Sequence, residues 1–583
     1  MDPIALAVCA TTAVAAGAAL APRVRARWLL SRAKHRSLAG HARLARIAAK
    51  LVPYYGYDAA AAFRIDGAPP EVEALRRAAF LRLAGYYRER FAASSRLAAV
   101  AQPHVSDLQF TTAYRVPFPF RHLVSSRLCV PSFATATEGV VLIDPDGNRS
   151  YDLSGAYGVN VFGYDFYKGC IDRGMARVRD LGPVLGAYHP VVASNAARLA
   201  QISGHDEVSF HMSGTEAVMQ AVRVARYHTG RRRIVRFCGA YHGWWDEVQP
   251  GAGNPSSPRD TYTLTEMDDA SLAALDALRD VSCVLVNPAQ ALHPNGSAPT
   301  DSSLVDGTRR ARFDRGAYAA WLRRLRGVCT RRGIVLIFDE VFVGFRLARG
   351  GAQEYYGVRA DLVTYGKTLG GGLPVGVLCG PHALMKRYSD ARPADICFAR
   401  GTFNAHPYVM AAMHEFLLAL ETPEFRARYE RLDETWDARA EDLNRRLAQA
   451  NVPVRVANLS TIWTTYYTTP SRYHWLFQYY LRVEGLTLGW IGTGRLLFPI
   501  DLPDADFRAI ADRFAAAAIR MRDDGWWWTP AGASNRAIRR TLLREMLWIR
   551  VGMHPAGVSA QPQASPDPEA VRGAGAAAPC DTA

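Results

Sequence analysis

Residues 206–410 predict a doubly wound α/β domain, and three observations carry that expectation. Strand-like and helix-like segments alternate: EVSFHM, then EAVMQAVRVARYHTG closed by Gly230, then RIVRFC. Further on, VSCVLVNP and GIVLIFDE are short, unbroken apolar runs of the kind buried on both faces of a parallel sheet. Amphipathic stretches such as YAAWLRRLRGVCTRRG separate those runs, which is the βα alternation of a crossover-connected sheet.

In chain order, residues 4–22 (IALAVCATTAVAAGAALAP) are uncharged, and Arg23, Arg25, Arg27, Arg32, Lys34 and Arg36 follow. A run of that length with a basic flank predicts an uncleaved membrane anchor whose flank stays on the cytoplasmic side; an Ala-rich soluble helix is the alternative. From 35 to 102 apolar residues recur at three- and four-residue spacing, as in LARIAAKLV and VEALRRAAFLRLAGYYRERF, and predict an accessory helical region. GVVLIDPDGNRSYDLSG reads as strand, turn, strand. Mixed helix and strand follow the α/β region. The tail after 529 holds one amphipathic stretch (IRRTLLREMLWIRV) and then Pro/Ala/Gly-rich sequence expected to be disordered.

The formal net charge is +16, and the first fifty residues carry nine Lys/Arg against one acid, Asp2. About half of the excess therefore sits in an N-terminal arm, which argues against a nucleic-acid binder charged throughout. Nine dispersed cysteines without CxxC spacing suit reduced thiols and exclude a disulfide framework or a zinc site. Only five lysines occur (Lys34, Lys50, Lys168, Lys367, Lys386), and the other basic residues are arginine. Arginine forms no imine with an aldehyde, so imine chemistry has few candidates here.

Ser213, Gly214 and Thr215 lie between a strand and the first turn of a helix, where free N–H groups and the helix dipole seat phosphate; ordinary N-capping is the alternative. Asp339 ends the run IVLIF at the carboxyl end of a buried strand, where α/β proteins place ligands, or else caps the next element. Lys367, in YGKTLGGGLPVG, precedes three glycines that let the backbone approach a bound group closely. Tyr241 and His242 follow RIVRFC at another strand end, where an aromatic can stack on a planar ring or fill the core. Phosphate seat, ring partner, acid and lysine occur together in the order and setting that suit pyridoxal 5′-phosphate (PLP).

FHMSGTEAVMQAVRVARYHTGRRRIVRFCGAYHGWWD, LIFDEVFVGFR, GGAQEYYGVRADLVTYGKTLGGGLPVG and GTFNAHP resemble class III aminotransferases, most of all the glutamate-1-semialdehyde aminomutase branch. The likeness runs from about 130 to 525. It implies PLP fold type I, with a large doubly wound domain, a small α+β domain built from segments before and after it, and a homodimer. It further implies that Ser213, Gly214 and Thr215 hold the phosphate, Tyr241 stacks on the ring beside His242, and Asp339 pairs with the pyridine nitrogen. Val341 would lie under the ring, Lys367 would be the imine lysine and proton shuttle, and Thr402 would reach the phosphate bound by the second copy.

The expected division is 1–36 anchor and flank, 37–125 helical extension, 126–200 first part of the small domain and lead-in, 201–410 large domain, 411–528 second part of the small domain, and 529–583 tail. Two departures stand out: Asn287-Pro288 replaces the family's Glu-Pro, and VPSFATATEG lacks the arginine by which the aminomutase holds its substrate's carboxylate. The resulting expectation is an aminotransferase acting on an amino donor and a carbonyl compound. The aromatic stretch 461–492 suggests an acyl substrate, or else fills the small domain's core. The basic surface suggests an acyl carrier protein as donor of such a substrate. A 1,2-aminomutase is the alternative, and a PLP-binding regulator is the alternative of another class, disfavoured because no helix-turn-helix pattern is seen.

Overall fold

The computed structural model describes residues 20–34, 42–130, 133–249, 259–288, 314–489, 494–554 and 557–559. Its centre is a seven-stranded sheet of β1 (Glu207–His211), β2 (Arg233–Phe237), β3 (Thr261–Leu264), β4 (Val281–Val286), β5 (Val335–Asp339), β6 (Leu362–Gly366) and β7 (Gly376–Gly380), in the order β1-β7-β6-β5-β4-β2-β3. Strand β7 is antiparallel to both neighbours, and the other adjacent strands pair in parallel. Every residue of β4, β5, β6 and β7 is buried, as their unbroken apolar runs require. Helix α1 (Gly214–Thr229) follows β1 and ends where Gly230 adopts φ 63°, the left-handed conformation that suits glycine. Helix α2 (Pro407–Glu421) runs unbroken across 410/411, where the sequence suggested a domain boundary; its apolar face packs on the helices Tyr164–Val178 and Val191–Ser203.

Two smaller sheets complete the body. One joins Val454–Leu459, Ile462–Tyr467 and Arg495–Leu497. The other sets Leu486–Thr487 parallel to Arg149–Asp152, which pairs in turn with Val141–Ile143. Segments before and after the large sheet are thus hydrogen-bonded into one layer. Arg346, fully buried, ties the same parts together by donating to Asn160 O (3.0 Å), Thr461 Oγ1 (3.0 Å) and Phe498 O (2.7 Å).

Helix Pro70–Arg90 dominates the N-terminal extension and packs into the small domain's core through Tyr87 against Tyr479, and Phe63 of the preceding turn packs against Trp526. The aromatics of 461–492 therefore have a structural use: Trp463, Tyr473, Trp475, Phe477, Tyr479 and Tyr480 are all at most 4 % exposed. They fill the core between extension and small domain, and this removes the motive for an acyl-lined pocket.

The proposed anchor lies largely outside the described residues, which begin at Leu20. Among the described residues no helix is long and apolar enough to cross a membrane. The basic flank is helical over 20–33, and its end docks on the large sheet: Lys34 bridges Leu264, and Thr265 N–H donates to Ala33 O.

Extension and tail also bind each other. Gly56–Tyr57 pairs with Val558–Ser559, and Glu545, on helix Asn535–Arg550, takes both guanidinium arms of Arg472 (2.8 and 3.0 Å) plus the Tyr57 hydroxyl (2.6 Å). Burial raises the Glu545 carboxyl, but the Arg472 contact and the tyrosine hydroxyls outweigh it and hold its pKa below the ordinary carboxylate value. Because the folded-state value is depressed, the stabilisation is present above the ordinary carboxylate range and is lost as pH falls through the lowered value. Glu545→Ala should destabilise the protein by about 3–5 kcal/mol, since it strands a buried guanidinium. Urea unfolding at pH 7 measures the loss, and the difference from wild type should shrink in acid. An unchanged midpoint at pH 7 would show that the Glu545–Arg472 pair contributes nothing to stability.

Candidate active site

The carboxyl edge of the large sheet collects residues far apart in sequence. Ser213 caps α1, its Oγ accepting the Glu216 N–H at 3.3 Å, while the Glu216 carboxylate accepts the Met212 N–H at 2.9 Å. These contacts leave the Gly214 and Thr215 N–H groups, in the first turn, without intrahelical acceptors at the positive end of the helix dipole. The approach to this turn is very close. A Cβ on Gly376 would stand 1.9 Å from Ser213 O, and one on Gly214 would stand 2.6 Å from Val341 Cγ1. Gly376→Ala should therefore displace the turn and weaken PLP retention, with about 1–3 kcal/mol of overpacking. Equilibrium dialysis against PLP tests this, and wild-type retention would show that the turn does not seat the phosphate.

Asp339 ends β5 and is 3 % exposed. Its Oδ2 meets His242 Nδ1 at 2.8 Å, and its Oδ1 accepts the Val341 N–H at 3.2 Å and the Thr364 hydroxyl at 3.4 Å. Thr364 lies opposite Asp339 in the β5–β6 register, so the sheet itself fixes the acid. His242 is 1 % exposed, and its Nε2 is buried with no partner among the described residues. An orphaned buried nitrogen beside a fixed carboxylate is what a site made for a polar ligand leaves behind.

Lys367 follows β6 at φ 49°, a strained conformation for a residue with a side chain, held by the Gly366–Gly376 pair at the strand end. Its Nζ lies 5.7 Å from the Phe342 ring centroid. Burial pushes its pKa below the ordinary lysine value, and Arg495 and Arg346 push the same way while Asp339 opposes them. Gly158, at φ 98°, closes the other side: a Cβ there would sit 2.6 Å from the Phe342 ring and 3.3 Å from Lys367 Cδ.

Lys367, Asp339, His242, Val341 and the 213–215 turn are thus brought to one sheet edge. Tyr241 stands beside them, 56 % exposed, and Thr402 is exposed in the turn before α2. Asn287 follows β4 at the same edge. The sequence reading missed Thr364, Phe342, Gly158 and Arg495. Arg495 opens a small-domain strand, its guanidinium carbon lies 5.3 Å from the Phe342 centroid, and among the described residues it makes no hydrogen bond or ion pair. Its segment, GTGRLLFP, carries no pattern that sets this arginine apart from the many others.

Residues 125–248 and 314–517 match the family model of class-III aminotransferases. A glutamate-1-semialdehyde 2,1-aminomutase of Citrifermentans bemidjiense is 32 % identical over 365 residues, covering 59 % of this chain and 78 % of that protein. One of Flavobacterium johnsoniae is 34 % identical over 299 residues, covering 50 % and 66 %. Among solved structures, an omega-transaminase from Sphaerobacter thermophilus superposes with a TM-score of 0.61 at 26 % identity, covering 75 % of this chain and 99 % of that one. A glutamate-1-semialdehyde aminomutase from Pseudomonas aeruginosa shares the fold with a TM-score of 0.62 at 19 % identity, covering 77 % and 99 %.

Proposed function

Because this chain belongs to the class III aminotransferase family, PLP-dependent enzymes of fold type I, we propose that it moves an amino group between an amino donor and a carbonyl compound, with Lys367 carrying the cofactor. The observation that supports this most is the meeting of Lys367, the Asp339–His242 pair and the 213–215 turn on one sheet edge. When bound, PLP supplies an aldehyde for imine formation and a ring that accepts electrons.

The chain's own residues do the rest. The Gly214 and Thr215 N–H groups and the Ser213 and Thr215 hydroxyls bind the phosphate. Val341, wedged against Gly214, and Tyr241 would hold the ring. Asp339 keeps a proton on the pyridine nitrogen, and His242 and Thr364 hold that carboxylate in place. Lys367 Nζ, kept less basic by burial, would take the proton from the substrate carbon that bears the amine. Arg495, which makes no hydrogen bond or ion pair among the described residues, binds a carboxylate on the substrate, a task for which VPSFATATEG offers no arginine.

The exposed Tyr241, Trp244, Phe398 and Phe403 fit a face covered by a second copy, whose phosphate Thr402 then reaches. Light scattering at the mass of two chains supports that assembly, and a single-chain mass refutes it. A 1,2-aminomutase is the second reading, favoured by the similarity to proteins of that name.

One experiment separates the two. The PLP form is mixed with a panel of amino donors, and its conversion to the pyridoxamine form is followed by absorbance. Stoichiometric conversion with release of a keto product supports transfer. Isomerisation of an amino-carbonyl compound without a donor supports the mutase, and absence of both refutes this proposal.

A further inference from the structure

A cavity of about 670 Å³ lies between the N-terminal extension and the small domain. Tyr86, Leu108 and Thr111 of the extension line it together with Ser150, Thr487 and Leu488 of the small domain. Five arginines line it; Arg90, Arg149 and Arg513 are exposed or half-exposed, and the two buried ones are Arg115, 8 % exposed, and Arg482, 7 % exposed. Arg482 donates to Gln478 O (3.3 Å) and Leu488 O (2.9 Å). The Arg115 guanidinium makes no hydrogen bond or ion pair among the described residues, and its Nη1 is buried without a partner.

Among the described residues no carboxylate pairs with either guanidinium. The carboxylates on the cavity wall are engaged elsewhere or exposed: Asp144 caps its own turn through Asp146 N–H (2.9 Å) and Asn148 N–H (2.8 Å), Glu484 pairs with Arg520 (3.0 Å), and Asp107 is exposed on its helix. The surroundings of Arg115 are instead tyrosines, Tyr87, Tyr157 and Tyr479. Gln478 links the two: its Nε2 donates to Arg115 O (3.1 Å) and its carbonyl accepts from Arg482, while burial and next the charge of Arg115 push the Arg482 guanidinium down to about 10. Two like charges buried without a counter-ion are destabilising, and an anionic occupant removes that cost.

We propose that this cavity is a subsite for the phosphoryl group of a substrate whose reacting end sits at Lys367. Charge balance selects phosphoryl over carboxylate: a phosphate monoester carries about −1.5 to −2 at pH 7 and offers three acceptor oxygens, which matches two guanidinium groups. The wall shared with the PLP edge supports the link. Tyr157 lines the cavity at φ 56°, and the next residue, Gly158, faces Phe342 and Lys367. Arg115 and Thr111 belong to the extension that precedes the family match at residue 125, so the subsite is an addition to the family's frame. The proposal deepens the aminotransferase reading and depends on it only for the reacting end.

The test uses the PLP-saturated enzyme, so that the cofactor's own phosphate seat is filled, and inorganic phosphate as probe in low-salt buffer. Calorimetry should show saturable binding of one phosphate per chain. Arg115→Leu should weaken it at least tenfold without lowering the melting temperature, because it removes an unpaired buried charge. If that variant does not fold, Arg115→Gln should show the same loss of binding. Absence of saturable binding, or binding unchanged in the variants, overturns the site.

Aminoalkyl phosphates of graded chain length then decide what carries the phosphate. An optimum length that converts the PLP form at least tenfold faster than the unphosphorylated amine, and loses that advantage in Arg115→Leu, supports a substrate's phosphoryl end. Chain-length indifference with phosphate still bound assigns the cavity to a free effector and overturns the substrate link. If no amine of any kind reacts, the aminotransferase reading fails, and the calorimetric result on the anion site stands apart from it.

Discussion

Lys367→Ala should abolish the visible absorbance of lysine-bound PLP and lower turnover by at least about 10²–10⁴-fold, the usual worth of a side chain that moves the reacting proton. The effect is large because this one amine has two tasks, holding the cofactor and shuttling the proton. Lys367→Arg is the sharper control. It keeps a cation at φ 49° beside Phe342, so the local fold and charge survive, but a guanidinium forms no imine. Both variants should be equally dead and equally folded by circular dichroism. Borohydride reduction of the wild type followed by peptide mapping should label Lys367 alone among the five lysines. Label on Lys168 or Lys386, each already paired with an aspartate at the surface, would overturn the assignment.

Asp339→Asn should keep PLP bound and cut kcat by on the order of 10²–10³-fold, the scale of losing one fixed group aimed at developing charge. The carboxamide is nearly isosteric and can still meet the Thr364 hydroxyl and the Val341 N–H. What it cannot do is stabilise a positive charge on the ring nitrogen, so the ring becomes a poorer electron sink. The expected signature is a fall in kcat with dialysis-stable PLP content. Loss of the cofactor with residual kcat intact would make the acid a structural anchor instead. His242→Asn, which removes the partner of Oδ2, should give a smaller loss of the same kind.

Much of this was legible in the amino-acid sequence because it depends on local rules. The buried runs VSCVLV and VLIFD can only be inner strands of a covered sheet, and Ser213 before an amphipathic run can only start a helix. Once strands and helices alternate, loops at the strands' carboxyl ends share one edge, which is why Lys367, Asp339, His242 and Ser213 could be grouped before any coordinates. The scarcity of lysine made one of them conspicuous. The tertiary structure decided the rest, because the rest depends on pairs that no periodicity connects. It turned the aromatics of 461–492 from a suspected substrate wall into core, since helix Pro70–Arg90 and Trp526 cover them. It placed Arg495 over Phe342, and it set Arg115 and Arg482 in one cavity, although 367 residues separate them in sequence. A sequence records that an arginine is present; whether it is solvated at the surface or stranded inside without a counter-ion is a property of packing, and that difference is what gives the cavity its expected ligand.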